Sequence, residues 1–87
     1  MRRIEIRPSA RKHGISDDRI RYVMEHCVLP LDGRRWPGQT VYLAPDQYGN
    51  PLEVVSVTDD DGVIWAVHAM RLRPAYESDY VEVNGHR

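Results

Sequence analysis

The chain has 87 residues, 41% of them hydrophobic and 29% charged, with a formal net charge of -1 and a single cysteine, Cys27. That length supports one domain over residues 1–87 and one modest core, since a second core would fall below the ~40 residues at which chains need staples. A lone cysteine excludes an internal disulfide and a multi-thiolate zinc site. No apolar run approaches the ~18 residues of a membrane helix, and a Met-Arg-Arg start is unlike a secretory leader, so a cytoplasmic protein is expected.

Residues 3–6, Arg-Ile-Glu-Ile, alternate and predict a short strand. Pro8 suits the first turn of a helix that closes at Gly14, with Arg11, Lys12 and His13 complementing its carbonyl end. Ser16 is placed to cap the next helix, and Asp17 and Asp18 put negative charge in its first turn. Ile15 and Ile20 have hydrophobic-staple spacing. Ile20, Val23, Met24 and Cys27 then follow i, i+3, i+4, i+7 and predict one buried stripe, with Arg21 and Glu25 outward and Pro30 as the stop.

Residues 29–38 read as an irregular connection carrying Arg34, Arg35 and Trp36. Residues 40–44, 52–58 and 63–70 predict a three-stranded meander, joined by turn-rich segments at 45–51 and 59–62. Asp59-Asp60-Asp61-Gly62 lacks the alternating ligands of a calcium loop and reads as a hairpin turn. Strict alternation in the last strand puts Val63, Trp65, Val67 and Ala69 on one face and Ile64, Ala66, His68 and Met70 on the other. Trp36 and Trp65 read as packing residues. Pro74 opens a short final helix with Tyr76 and Tyr80 on one side, and residues 81–87 read as a loose tail. The expected architecture is α+β, with N-terminal helices packed on a small antiparallel sheet and a short C-terminal helix.

The net charge conceals an uneven distribution. Residues 1–36 hold nine Lys and Arg against five acids, residues 37–70 hold five acids and no Lys or Arg, and residues 71–87 balance at three and three. Such asymmetry leaves room for a local anion site in a nearly neutral chain. The densest candidate is His68 to Glu77, where a strand end delivers His68, Arg71 and Arg73 follow, and a helix starts at Pro74 with Tyr76 one turn inside. Guanidinium forks beside free helix amides suit phosphate, and histidine moves protons near neutral pH. The competing reading is a hydrogen-bonded histidine beside a solvated arginine rim.

Arg11-Lys12-His13-Gly14-Ile15-Ser16 leading into a helix, a central meander, and a last strand ending Ala69-Met70-Arg71 with Tyr76-Glu77 following together resemble the BrnT-like toxins. These belong to bacterial type II toxin–antitoxin systems and are related in fold to the RelE/ParE toxins. The resemblance covers most of residues 7–77. The arginine usual earlier in the family's final strand would fall near Ala66 and is absent here, and the usual Ser-Ala-Arg is replaced by Ala-Met-Arg preceded by His68. What it implies is a ribonuclease that cleaves RNA without metal or cofactor, through attack by the 2′-hydroxyl, and so inhibits translation and growth. Its implied partners are a cognate antitoxin protein and RNA, free or ribosome-associated. For that chemistry His68, standing where the family pattern departs, is the expected general base or acid, with Arg71 and Arg73 stabilising the phosphorane and Tyr76 orienting the phosphate or base. Arg11, Lys12, His13, Arg34 and Arg35 are the expected RNA contacts. The alternative is a non-catalytic member of the same fold, a gyrase poison or an antitoxin-binding module.

Overall fold

A computed structural model describes residues 3–33 and 38–85. Five strands form one sheet: β1 (Ile4–Ile6), β2 (Leu31–Asp32), β3 (Gln39–Pro45), β4 (Pro51–Thr58) and β5 (Ile64–Arg71), in the order β1-β5-β4-β3-β2. A single 3-10 turn covers Pro8–Arg11, helix α1 covers Asp17–His26, a second 3-10 turn covers Pro74–Tyr76, and helix α2 covers Glu77–Asn84. The architecture is α+β.

Two parts of the expected arrangement are corrected. The sheet is mixed, because β1 lies parallel to β5 with Ile4 opposite Ile64 and Ile6 opposite Ala66, while every other pair is antiparallel. Alternation in residues 3–6 identifies a strand and leaves its distant partner open. Only one of the expected N-terminal helices is an α-helix, and the C-terminal helix is present as expected. The Pro8 segment makes only one 3-10 turn before Gly14 takes φ +78, α1 follows β1, and the other α-helix is C-terminal. That C-terminal helix runs to Asn84, through most of the expected tail, and is tied down where Asn84 Nδ2 donates to Leu43 O at 2.9 Å.

The α1 stripe is buried as its spacing requires. Ile20 and Val23 are fully enclosed, Met24 nearly so and Cys27 partly, against Ile6, Ala10, Ile15, Tyr42, Ala44, Leu52, Val54, Ala66 and Ala69. Each enclosed Ile or Val contributes roughly 1.5–3 kcal/mol relative to exposure. Ser16 holds the N-cap position without a side-chain cap bond. Asp17 accepts from Arg11 Nε and Nη2, both at 2.9 Å, which joins the first 3-10 turn to the helix start.

The β3–β4 and β4–β5 turns share one design. In the 46–50 turn and the 59–63 turn an Asp Oδ1 accepts backbone N–H groups two and four residues on, all at 2.9 Å, and a glycine sits at the fourth place. Gly49 and Gly62 have φ of 86 and 83, a region that side chains other than glycine rarely tolerate. Asp46 is also enclosed, and Arg19 Nε of α1 donates to its Oδ2 at 2.7 Å.

Candidate active site

A one-residue bulge assembles the site. Along β4 and β5 the register runs Val57 to Trp65 and Ser56 to Ala66, then resumes with Val55 to His68, so Val67 is the extra residue. An extra residue resets the two-residue period. Ala66 and Ala69 therefore share the α1 face, while Trp65, His68 and Met70 share the other with Glu53, Val55 and Val57. The strict alternation expected for residues 63–70 is overturned at this point. Val67 O accepts from Ser9 Oγ at 2.7 Å, which pins the segment after β1 against the bulge.

Glu53 lies at the centre of the opposite face with 0% exposure. A buried carboxylate requires donors on its oxygens, and three groups supply them. Arg73 N–H donates to Oε1 at 3.0 Å, Arg73 Nε to Oε2 at 2.9 Å with Nη2 on the same oxygen, and His68 Nε2 lies 3.1 Å from Oε2. Burial pushes the Glu53 carboxyl up, but the Arg73 side chain, the Arg73 N–H and His68 outweigh it and hold the group below the usual carboxylate range. Glu53 is thus an ionised acceptor, and the His68 nitrogen facing it must carry the proton. In neutral His68 the lone pair therefore resides on Nδ1.

The His13 ring stands edge-on to His68, with centroids 5.8 Å apart and planes at 73°. The chain reaches this place because the 3-10 turn lies beside β5, past the end of β1. His13 and Lys12 are exposed, and the His68 side chain is 28% exposed. Two imidazoles from segments 55 residues apart in sequence thus meet at one accessible edge, one backed by a carboxylate. That pairing supplies a proton acceptor and a proton donor at a single site.

The other expected residues divide. Arg73 joins the cluster as the partner that clamps Glu53, and this contact raises its own pKa. Tyr76 lies near enough to Arg73 to contribute to that rise. Arg71 is exposed and sits in register with Leu52, which places it on the α1 side of the sheet, across from Glu53. The structure does not bring Arg71 to the His68 cluster, because a residue three beyond His68 in a strand takes the opposite face. Arg11 is occupied by Asp17. Arg34 and Arg35 fall outside the described residues. Glu53 was missed, although one acid inside the apolar run Leu52-Glu53-Val54-Val55 is the sequence sign of a buried, paired carboxylate.

Among the described residues no group of three or more His, Cys, Asp or Glu side chains is arranged to hold a metal ion. No helix among them is long and apolar enough to cross a membrane. The fold and site define an α+β protein with a carboxylate-backed histidine pair at a sheet edge. No family model, curated protein or solved structure matches the chain.

Proposed function

We propose that the protein is a metal-independent endoribonuclease acting as the toxin of a type II toxin–antitoxin pair. The observation that carries this reading is the approach of the His13 ring centroid to 5.8 Å from that of His68, whose Nε2 is held by ionised Glu53. The resemblance over residues 7–77 supports RNA as the substrate and an antitoxin as the partner.

In the proposed reaction His68 Nδ1 takes the proton of a ribose 2′-hydroxyl while the 2′-oxygen bonds to the adjacent phosphorus. The P–O5′ bond breaks, and protonated His13 gives its proton to the departing 5′-oxygen. The products are a 2′,3′-cyclic phosphate and a 5′-hydroxyl. His68 leaves protonated and His13 neutral, and exchange with water restores both. Glu53 is a positioning residue that fixes the His68 tautomer and favours its protonated form as charge develops. Arg73 keeps Glu53 ionised, and its Nη1 hydrogens, which Glu53 does not use, remain as donors for the phosphorane. Lys12 adds an exposed positive charge beside His13.

The test is purified protein with RNA in excess EDTA. Cleavage by wild type, and its loss in both His68→Ala and His13→Ala, is the expected result. Equal cleavage by wild type and both variants, or growth arrest in cells with RNA left intact, overturns the reading.

A further inference from the structure

The edge bearing the histidine pair continues as a seam between residues 7–13 and β5. Arg7 N–H donates to Ala66 O at 2.9 Å, Ser9 Oγ donates to Val67 O at 2.7 Å, and the His13 ring meets His68. At the far end of this seam the Arg7 guanidinium carbon lies 4.6 Å from the Trp65 ring centroid. The Trp65 indole N–H donates to Asp59 Oδ2 at 2.9 Å. The hairpin turn thus fixes the indole by its edge, and the indole holds a guanidinium on its face, where tryptophan attracts cations best.

Among the described residues, two positive charges along the seam are not neutralised by an acid. Arg3, Arg11, Arg19 and Arg73 each pair with a carboxylate. Arg7 and Lys12 are exposed, and among the described residues no acid pairs with either. Trp65 and His68 are three residues apart on β5, a span of at most ~10 Å at ~3.3 Å per residue. A stacked guanidinium retains its in-plane N–H fork, which suits phosphate, and its outer face can stack on a base.

We propose that Arg7, supported by Trp65, is a phosphate-binding subsite for single-stranded RNA, holding the backbone beside the phosphate that His13 and His68 attack. The subsite rests on the reading of RNA as substrate, and its occupancy is measurable without cleavage. Trp65 is thereby a supporting residue of the subsite as well as a packing residue.

The experiment measures binding of a short, fully 2′-O-methylated single-stranded oligonucleotide, which has no attacking hydroxyl, by fluorescence polarisation over a range of salt. Removing a charge-assisted phosphate contact in Arg7→Ala is expected to weaken binding about tenfold at low salt and to reduce the slope of log K against log salt by about 0.7. Arg7→Gln is expected to behave alike, and Arg19→Gln on α1, which removes the same charge at the 46–50 turn, to bind as wild type does. A dinucleotide substrate, too short to reach Arg7, is expected to be cleaved equally by wild type and Arg7→Ala. Unchanged affinity and salt slope in both Arg7 variants overturns the subsite even where wild type cleaves RNA. Weakened binding in the Arg7 variants with no cleavage by any form supports the subsite and removes the ribonuclease reading alone.

Discussion

Replacing Glu53 by Gln tests how strongly the buried carboxylate organises the site. Gln keeps the shape and one acceptor oxygen but presents an amide NH2 to donors that now meet a carboxylate, namely His68 Nε2 and the Arg73 guanidinium. Charge-assisted hydrogen bonds are each worth about 1.5–3 kcal/mol, and breaking a fully buried ion pair costs about 3–5 kcal/mol. The Arg73 side chain is 50% exposed and regains water when released, which discounts the larger figure. The expected loss is about 2–3 kcal/mol, a large share of the stability of so small a domain. Urea denaturation followed by circular dichroism reads it as a lower midpoint with unchanged slope. The sign of the pH dependence is also fixed. Glu53 has a folded-state pKa below its unfolded value, so its contribution is present above the unfolded pKa of ~4.3 and disappears as pH falls through the folded value. The gap between wild type and variant should therefore be widest near neutrality and close on acidification. A loss under ~0.5 kcal/mol at pH 7, or a gap that widens in acid, would refute the reasoning.

Asp46→Asn removes the charge facing Arg19 Nε while keeping an acceptor for the Tyr48 and Asn50 N–H groups, and should cost about 2 kcal/mol in denaturant titration. Burial raises the Asp46 pKa, but the Asn50 N–H, Arg19, the Tyr48 N–H and the Asn50 side chain lower it further, to about 2. The stabilisation it supplies is accordingly present above the unfolded value of ~3.9 and lost as pH approaches 2. Gly49→Ala meets no atom within 4 Å, so its cost is that of φ 86 alone, about 1 kcal/mol or somewhat more, read from the same midpoint shift.

What the sequence made legible was local. The α1 stripe, the three meander strands and the turn character of 59–62 follow from spacings within a dozen residues, and the structure places them within one or two residues of expectation. Three features were not legible from such spacings. β1 pairs with a strand about sixty residues away, β2 lies in a segment that reads as irregular, and the Val67 bulge depends on how β5 meets β4. The bulge mattered most for the site, since it moves His68 onto the face of Glu53 and joins it to Trp65 rather than Ala66. Of the expected site, His68, Arg73 and His13 converge and Arg71 does not, because alternate strand residues part company across a sheet. The acid that organises them was hidden in the apolar pattern of β4.

The central claim is that RNA is cut by its own 2′-hydroxyl at the His13–His68 pair. The most direct measurement is mass spectrometry of the fragment ends from one cleaved oligoribonucleotide, run in EDTA beside the same oligonucleotide with a single 2′-deoxy sugar at the cleaved position. The expected result is a 2′,3′-cyclic phosphate and a 5′-hydroxyl from the first, no cut at that position in the second, and neither product with His68→Ala. A cut that survives the 2′-deoxy substitution, or fragments bearing a 5′-phosphate, would contradict it.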